Sequence, residues 1–251
     1  MAEINSITFQ IDKNIPIPLY YELEQQILEL IKNKNLQVGD MLPPENELCE
    51  QLGISRPTVR QAMMDLVATG HLVREKSRGT FVASPKIDEK FFTRLQSFND
   101  EMFQKGFKPS TQVISLEKIP SMTNIAEKLQ IPLDSEMIKL ERLRYANDDP
   151  VVYLQTFIPY KGYENLMKID FAVTSLYSIM EELLGIKVYR VFREIEAINA
   201  TRKEADLLKI NSKGAICLVK TVAYTKEDLP VEYSIARYRG DRNKFSISLI
   251  R

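Results

Sequence analysis

The stretch from Leu42 to Val82 constrains this chain more than any other: LPPENELCEQLGISRPTVRQAMMDLVATGHLVREKSRGTFV. Glu45 to Gln51 has helical spacing, with Leu48 and Leu52 on one side. Gly53 breaks that helix and permits a sharp turn. Ser55 is suited to cap a following helix, and Pro57 falls in its first turn, where a missing N–H costs nothing. The second helix, Arg56 to Thr69, sets Val59, Met63 and Leu66 on one face and leaves Arg60 and Gln61 off it, near the helix start. Gly70 ends the helix. Leu72 to Val82 then alternates as a hairpin with its tip at Ser77 and Arg78. Between Ser55 and Phe81 stand Arg56, Arg60, Arg74, Lys76 and Arg78 against two acids, Asp65 and Glu75. Helix, tight turn, helix and basic hairpin together are the parts of an element that reads double-stranded DNA.

The whole chain balances 34 basic against 34 acidic residues, so this positive stretch is local. A length of 251 residues suits one large or two modest domains, and 44% hydrophobic with 27% charged residues are ordinary for a globular protein. No apolar run approaches the ~20 residues of a membrane span. The N-terminus lacks a basic region followed by an apolar one, so no signal peptide is expected. Cys49 and Cys217 lie far apart and fit reduced thiols in a cytoplasm. His71 is the single histidine, which argues against histidine catalysis and a histidine-rich metal site. P-loop, dinucleotide and zinc motifs are missing, so neither cofactor nor metal is expected.

The ordered string Pro44-Glu45…Leu48…Leu52-Gly53-Ile54-Ser55-Arg56-Pro57-Thr58-Val59-Arg60-Gln61-Ala62, followed by Lys76-Ser77-Arg78-Gly79-Thr80-Phe81-Val82, resembles the winged helix-turn-helix of the GntR family of bacterial transcription regulators. That resemblance implies that Glu45, Ser55, Arg56, Pro57, Thr58, Arg60 and Gln61 face DNA on the two helices, and Lys76, Arg78 and Gly79 on the wing. Guanidinium groups pair with guanine and glutamine with adenine in the major groove, while Thr58 and the helix N-terminus suit phosphates. The wing tip suits a narrow, negative minor groove. Asn46 and Ser77 depart from the arginine and glycine common in relatives.

Residues 1–16 are expected to form a tail, 17–83 the DNA-binding domain opened by a helix from Ile17 to Lys32, 84–91 a linker around Pro85, and 92–251 a second domain. In that domain a helix is expected over Phe92–Lys105. Strands follow at 112–119, 137–146, 151–158, 188–200, 216–224, 231–238 and 245–250, and helices at 124–129, 174–184 and 203–209. A weak repeat relates Ala126-Glu127-Lys128-Leu129-Gln130-Ile131…Pro150-Val151-Val152-Tyr153 to Ala205-Asp206-Leu207-Leu208-Lys209-Ile210…Pro230-Val231-Glu232-Tyr233. Two helix-plus-hairpin units suggest one antiparallel sheet with helices on one side, giving an α+β chain. This half resembles the ligand-sensing domain of HutC-type regulators, which is similar in fold to chorismate lyase.

Strand alternation puts Ile138, Leu140, Arg142 and Arg144 on one face. Two arginines continuing an apolar face are costly unless paired or meeting an anion, so both are candidates for holding a phosphate or carboxylate; an internal salt-bridge network or a dimer contact is the alternative. Glu232 and Tyr238 share a face with Ser234 and Ala236 between them. The resemblance adds Ser97, Phe98 and Asn99, and Ser175 at a helix start where free N–H groups favour anions. The nearest resemblance is to repressors that sense phosphorylated amino sugars. Where those relatives carry a glutamate this chain has Leu154, which replaces an acceptor for a sugar with an apolar group.

The resemblance therefore implies a homodimeric repressor on a palindromic operator, released by a small anionic metabolite such as a sugar phosphate, with no membrane partner. Two alternatives stay open: a lyase-like enzyme using the C-terminal pocket, and an activator that needs its ligand to bind DNA.

Overall fold

Helix α1 (Leu19–Lys32) follows Pro18, which cannot continue a helix backwards and sets its start two residues beyond the expected Ile17. The computed structural model describes residues 9–12, 16–75, 77–84, 86–89 and 96–248, and the chain divides into two compact units, 1–86 and 87–251.

In the first unit α1 buries Leu23 and Ile27 against α2 (Glu45–Leu52) and α3 (Arg56–Ala68). Leu48, Leu52, Val59, Ala62, Met63 and Leu66 complete the core. Each large side chain buried there contributes roughly 1.5–3 kcal/mol. Gly53 adopts φ 59° and ψ 38°, a left-handed turn that joins α2 to α3 and that glycine enters without strain. The wing is β1 (Leu72–Glu75) paired antiparallel with β2 (Gly79–Val82), in the register Leu72↔Val82. Leu42 N–H donates to Thr80 O at 2.8 Å and Val82 N–H to Asp40 O at 2.9 Å, tying the wing to the segment before α2.

The second unit opens on β3 (Ile87–Glu89), which lies inside the span expected to be linker. Buried Ile87 supplies the apolar anchor, and its N–H donates to Arg242 O at 2.7 Å. Helix α4 (Phe98–Gln104) begins later than the expected Phe92, because extended Ser97 caps it by accepting from Asp100 N–H; residues 92–95 lie outside the described residues. Next come β4 (Pro109–Pro120), α5 (Thr123–Leu129), β5 (Glu136–Ala146) and β6 (Asp149–Pro159). They are followed by α6 (Leu176–Leu184), β7 (Arg190–Asn199), α7 (Arg202–Leu208), β8 (Ala215–Tyr224), β9 (Pro230–Arg239) and β10 (Asn243–Phe245). The final strand is thus three residues long and ends before the expected Ile250, because it pairs only with the equally short β3, in parallel.

The main sheet is antiparallel in the order β4-β5-β6-β9-β8-β7. The repeat is visible in it: strand, helix, hairpin occurs twice, as β4-α5-β5-β6 and β7-α7-β8-β9, and the two copies meet where β6 pairs with β9. Both repeat helices end on a left-handed residue, Gln130 at φ 54° and Lys209 at φ 52°. The expectation of helices on one side is corrected. Helices α5 and α7 cover one face, packing on Met137, Phe157, Leu143 and Tyr153. Helices α6 and α4 lie over the other, which carries Ile138, Leu140, Val152 and Ala236. Strand β5 is apolar on both faces, so both need cover.

Candidate DNA-reading and ligand-binding sites

On α3 the buried stripe faces the core, and Arg56, Pro57, Arg60 and Gln61 are exposed. Ser55 caps the helix: its Oγ accepts from Thr58 N–H at 3.3 Å and lies 2.7 Å from Thr58 Oγ1. Gln61 Nε2 donates to both oxygens of Asp65, one turn on, at 2.9 and 3.0 Å. Its amide is therefore oriented by Asp65. Glu45 forms a salt bridge with Arg74 and braces α2 against β1. Arg78 pairs with Glu75, and its guanidinium lies 5.4 Å from the centroid of the Phe81 ring. Gly79 has φ 135°, and a Cβ there would meet Met41 Sδ at 3.2 Å. Lys76 lies outside the described residues.

The second unit holds a cavity of about 140 Å³ on the α4/α6 face of the sheet. Its floor is built row by row through the strand register. Arg144, Val152 and Tyr238 form one cross-strand row; Arg142, Leu154, Ala236 and Val219 form the next; Thr156, Ser234, Thr221 and Arg193 lie beyond. Ser97, Phe98, Ser175 and Glu232 also line the cavity. Eight of the nine residues expected at the ligand site thus converge: Ser97, Phe98, Arg142, Arg144, Leu154, Ser175, Glu232 and Tyr238. Asn99, in the first turn of α4, is not among the lining residues.

The cavity concentrates charge, with Arg142, Arg144 and Arg193 and the acids Glu89, Glu101 and Glu232 on its lining. Arg142 is 2% exposed, and its Nη2 donates to Thr156 Oγ1 at 3.4 Å. Its guanidinium lies 5.9 Å from the Phe171 ring centroid, and that of Arg144 lies 5.0 Å from the Phe98 centroid. The Nε atoms of both arginines are buried with no hydrogen-bond partner. Burial, and then the charge of Arg144, pull the pKa of Arg142 well below its ordinary value. Burial also lowers that of Arg144. An arginine does not give up its proton in a protein, so two crowded cations with orphaned donors have the chemistry to hold an anion. A bulge at Arg144/Tyr145 re-aims the strand at this point. Ser175 caps α6 without spending its side chain on a cap bond. Glu232 Oε2 accepts from Tyr177 OH at 2.6 Å, and burial raises the Glu232 carboxyl above its usual range. Burial drives the Tyr238 phenol far up as well.

Sequence reasoning missed Glu89, Gln96, Glu101, Tyr177, Arg193 and Thr221, all of which line the cavity. Thr221 and Arg193 were findable, since strand alternation places them on the face of Ser234. Glu89 was not, because it stood in a segment read as linker.

Residues 19–82 match the domain of bacterial regulatory proteins of the gntR family, and residues 104–244 match the UTRA domain. The HTH-type transcriptional repressor NagR of Bacillus subtilis is 37% identical over 235 residues, covering 94% of this chain and 96% of its own. The chain belongs to the GntR family. A probable fructoselysine utilization operon transcriptional repressor of Escherichia coli K12 is 32% identical over 229 residues, covering 91% and 93%. The crystal structure of PhnF from Mycobacterium smegmatis superposes with a TM-score of 0.65 at 26% identity, covering 92% of this chain and 98% of that one. This GntR protein is of HutC type, a ligand-responsive DNA-binding transcription regulator with an α+β fold. The lyase-like alternative falls, because the family and its relatives are transcription regulators rather than enzymes. Among the described residues no helix is long and apolar enough to cross a membrane.

Proposed function

We propose that this regulator is a cytoplasmic repressor that binds a palindromic operator as a homodimer and is released by a small anionic metabolite, a sugar phosphate or comparable phosphorylated or carboxylated compound. One observation carries the ligand class: Arg142 and Arg144 are buried side by side with unsatisfied Nε donors, on a cavity wall that also holds Ser175 at the start of α6. Among the described residues neither guanidinium has a carboxylate within salt-bridge distance, which argues against the internal salt-bridge network as the reading of the pair. The names of NagR and of the fructoselysine repressor favour repression. Arg56, Thr58, Arg60, Gln61, Arg78 and Gly79 are the groups we assign to DNA, with Ser55 and Pro57 shaping the helix start and Glu45 holding the wing. One helix-turn-helix reads one half-site, so a symmetric operator calls for two copies.

Leu154 sits between Arg142 and Ala236 in its row, so the centre of the cavity is apolar and favours a ligand whose polar groups lie at its ends. Thermal unfolding against sugar phosphates and small carboxylates tests the assignment. A compound present at 100 times its Kd stabilises the protein by about 2.7 kcal/mol. Arg144→Lys keeps the charge but loses the fork, and should weaken that compound about tenfold or more. An unchanged affinity in this variant refutes the anion assignment.

A further inference from the structure

Helix α3 presents one exposed residue that the assigned DNA contacts leave out. Its exposed positions are Arg56, Pro57, Arg60, Gln61, Met64 and Ala68. The others are charged, amide-bearing or compact, whereas Met64 is a large apolar side chain and is 52% exposed. Its neighbour Met63 is 1% exposed and belongs to the core. With 3.6 residues per turn, Met64 stands between Arg60 and Gln61 around the axis, about 40° from the first and about 60° from the second. It therefore occupies the middle of the face whose flanks are assigned to bases. The stripe of Val59, Ala62, Met63 and Leu66 is buried on the other side of the helix. Met64 lies four residues beyond Arg60, or about 6 Å further along the helix, which matches the rise of roughly two base pairs.

Three chemistries then share this face. In the major groove guanine offers acceptors, adenine and cytosine a donor, and thymine a 5-methyl group. Arg56 and Arg60 supply donors. Gln61 gives its amide N–H groups to Asp65 and keeps its carbonyl as an acceptor. None of these gains from a methyl group. A flexible thioether side chain does, because it adapts to an apolar partner and both lose water. The flanking arginines call for a polyanionic partner, so the group set against Met64 is a base of the same duplex rather than an apolar patch on a protein. We propose that Met64 is a specificity-determining residue that reads a thymine through its 5-methyl group, within about two base pairs of the base met by Arg60. The inference rests on α3 as the reading helix and adds a contact to it.

Replacing thymine by deoxyuridine deletes that methyl and leaves the hydrogen-bonding edges unchanged. Fluorescence anisotropy tests the proposal, using the full chain and a duplex it selects from a random-sequence pool, with each thymine replaced in turn. One thymine per half-site should matter, its replacement weakening the wild-type protein about fourfold, the worth of roughly one buried methyl. Met64→Ala should weaken binding to the intact duplex by a similar factor and be indifferent to deoxyuridine at that position, while still responding to base changes elsewhere. Met64→Leu keeps the apolar volume and should restore most of the discrimination. The melting temperature of Met64→Ala should match wild type, since the side chain lies outside the core; a merely structural role would lower it. Absence of any methyl-sensitive thymine, or a Met64→Ala protein as methyl-sensitive as wild type, overturns the assignment. Arg60→Ala is the control on the helix itself. If it weakens binding and Met64→Ala does not, the methyl contact alone falls; if neither does, α3 falls as the reading helix and the contact with it.

Discussion

At the scale of single residues, the ligand-binding unit is defined by charges held where water does not reach. Glu89 shows what this does to stability. Its carboxyl ionises near 4.5 in an unfolded chain and near 8 in the folded one, through burial first and Glu101 second. The folded state thus favours the protonated form. This contribution is fully present below pH 4.5 and is lost as pH rises through about 8. By linkage the loss at pH 7 is on the order of 3 kcal/mol, and buried Glu232 acts in the same direction. Urea unfolding at pH 5 and pH 8 should show the ligand-binding unit less stable at the higher pH. Glu89→Gln, which cannot ionise, should remove a large part of that difference. A difference that persists in full would mean Glu89 ionises normally. The arginines were legible in the sequence because Arg142 and Arg144 interrupt an alternating apolar face. Glu89 was not, since a lone acid after a proline reads as solvated until β10 is seen beside it.

At the scale of elements, local signals decided what could be foreseen. The turn at Gly53, the cap at Ser55 and the stripe of α3 are set by residues within a few positions of one another, and all three stand as expected. The three-residue strands β3 and β10 pair residues more than 150 positions apart, as Ile87 with Asn243, and no local pattern marks such a pair. The cover on both faces was written in β5, where Met137 and Leu143 alternate with Ile138 and Leu140, but the repeat drew attention to one face only. The same distinction separates two kinds of variant in the recognition element. Ser55→Ala removes the cap on α3 and should destabilise the DNA-binding unit by about 1 kcal/mol. Arg60 is exposed, so Arg60→Ala should leave the stability within about 0.5 kcal/mol of wild type. It should weaken operator binding and relax base preference, at a cost of about 1–3 kcal/mol. Calorimetry and fluorescence anisotropy on the two variants check the pair; an Arg60→Ala protein that binds operator normally would remove α3 from the reading face.

At the scale of the whole molecule, the cavity residues come from β3, α4 and α6 and from five strands of the main sheet, and that convergence is a property of topology. The order β4-β5-β6-β9-β8-β7 brings Arg144 within two strands of Tyr238 although 94 positions separate them. Ligand response then means that effector and operator favour different states of one protein, and the coupling is reciprocal: whatever factor the effector takes from operator affinity, the operator takes from effector affinity. The most direct test is a gel-shift titration of the full chain with the DNA upstream of its own gene, with and without sugar phosphates and small carboxylates. The account predicts a salt-sensitive shift that one phosphorylated or carboxylated compound abolishes. A shift that survives every phosphorylated and carboxylated compound tested would contradict it.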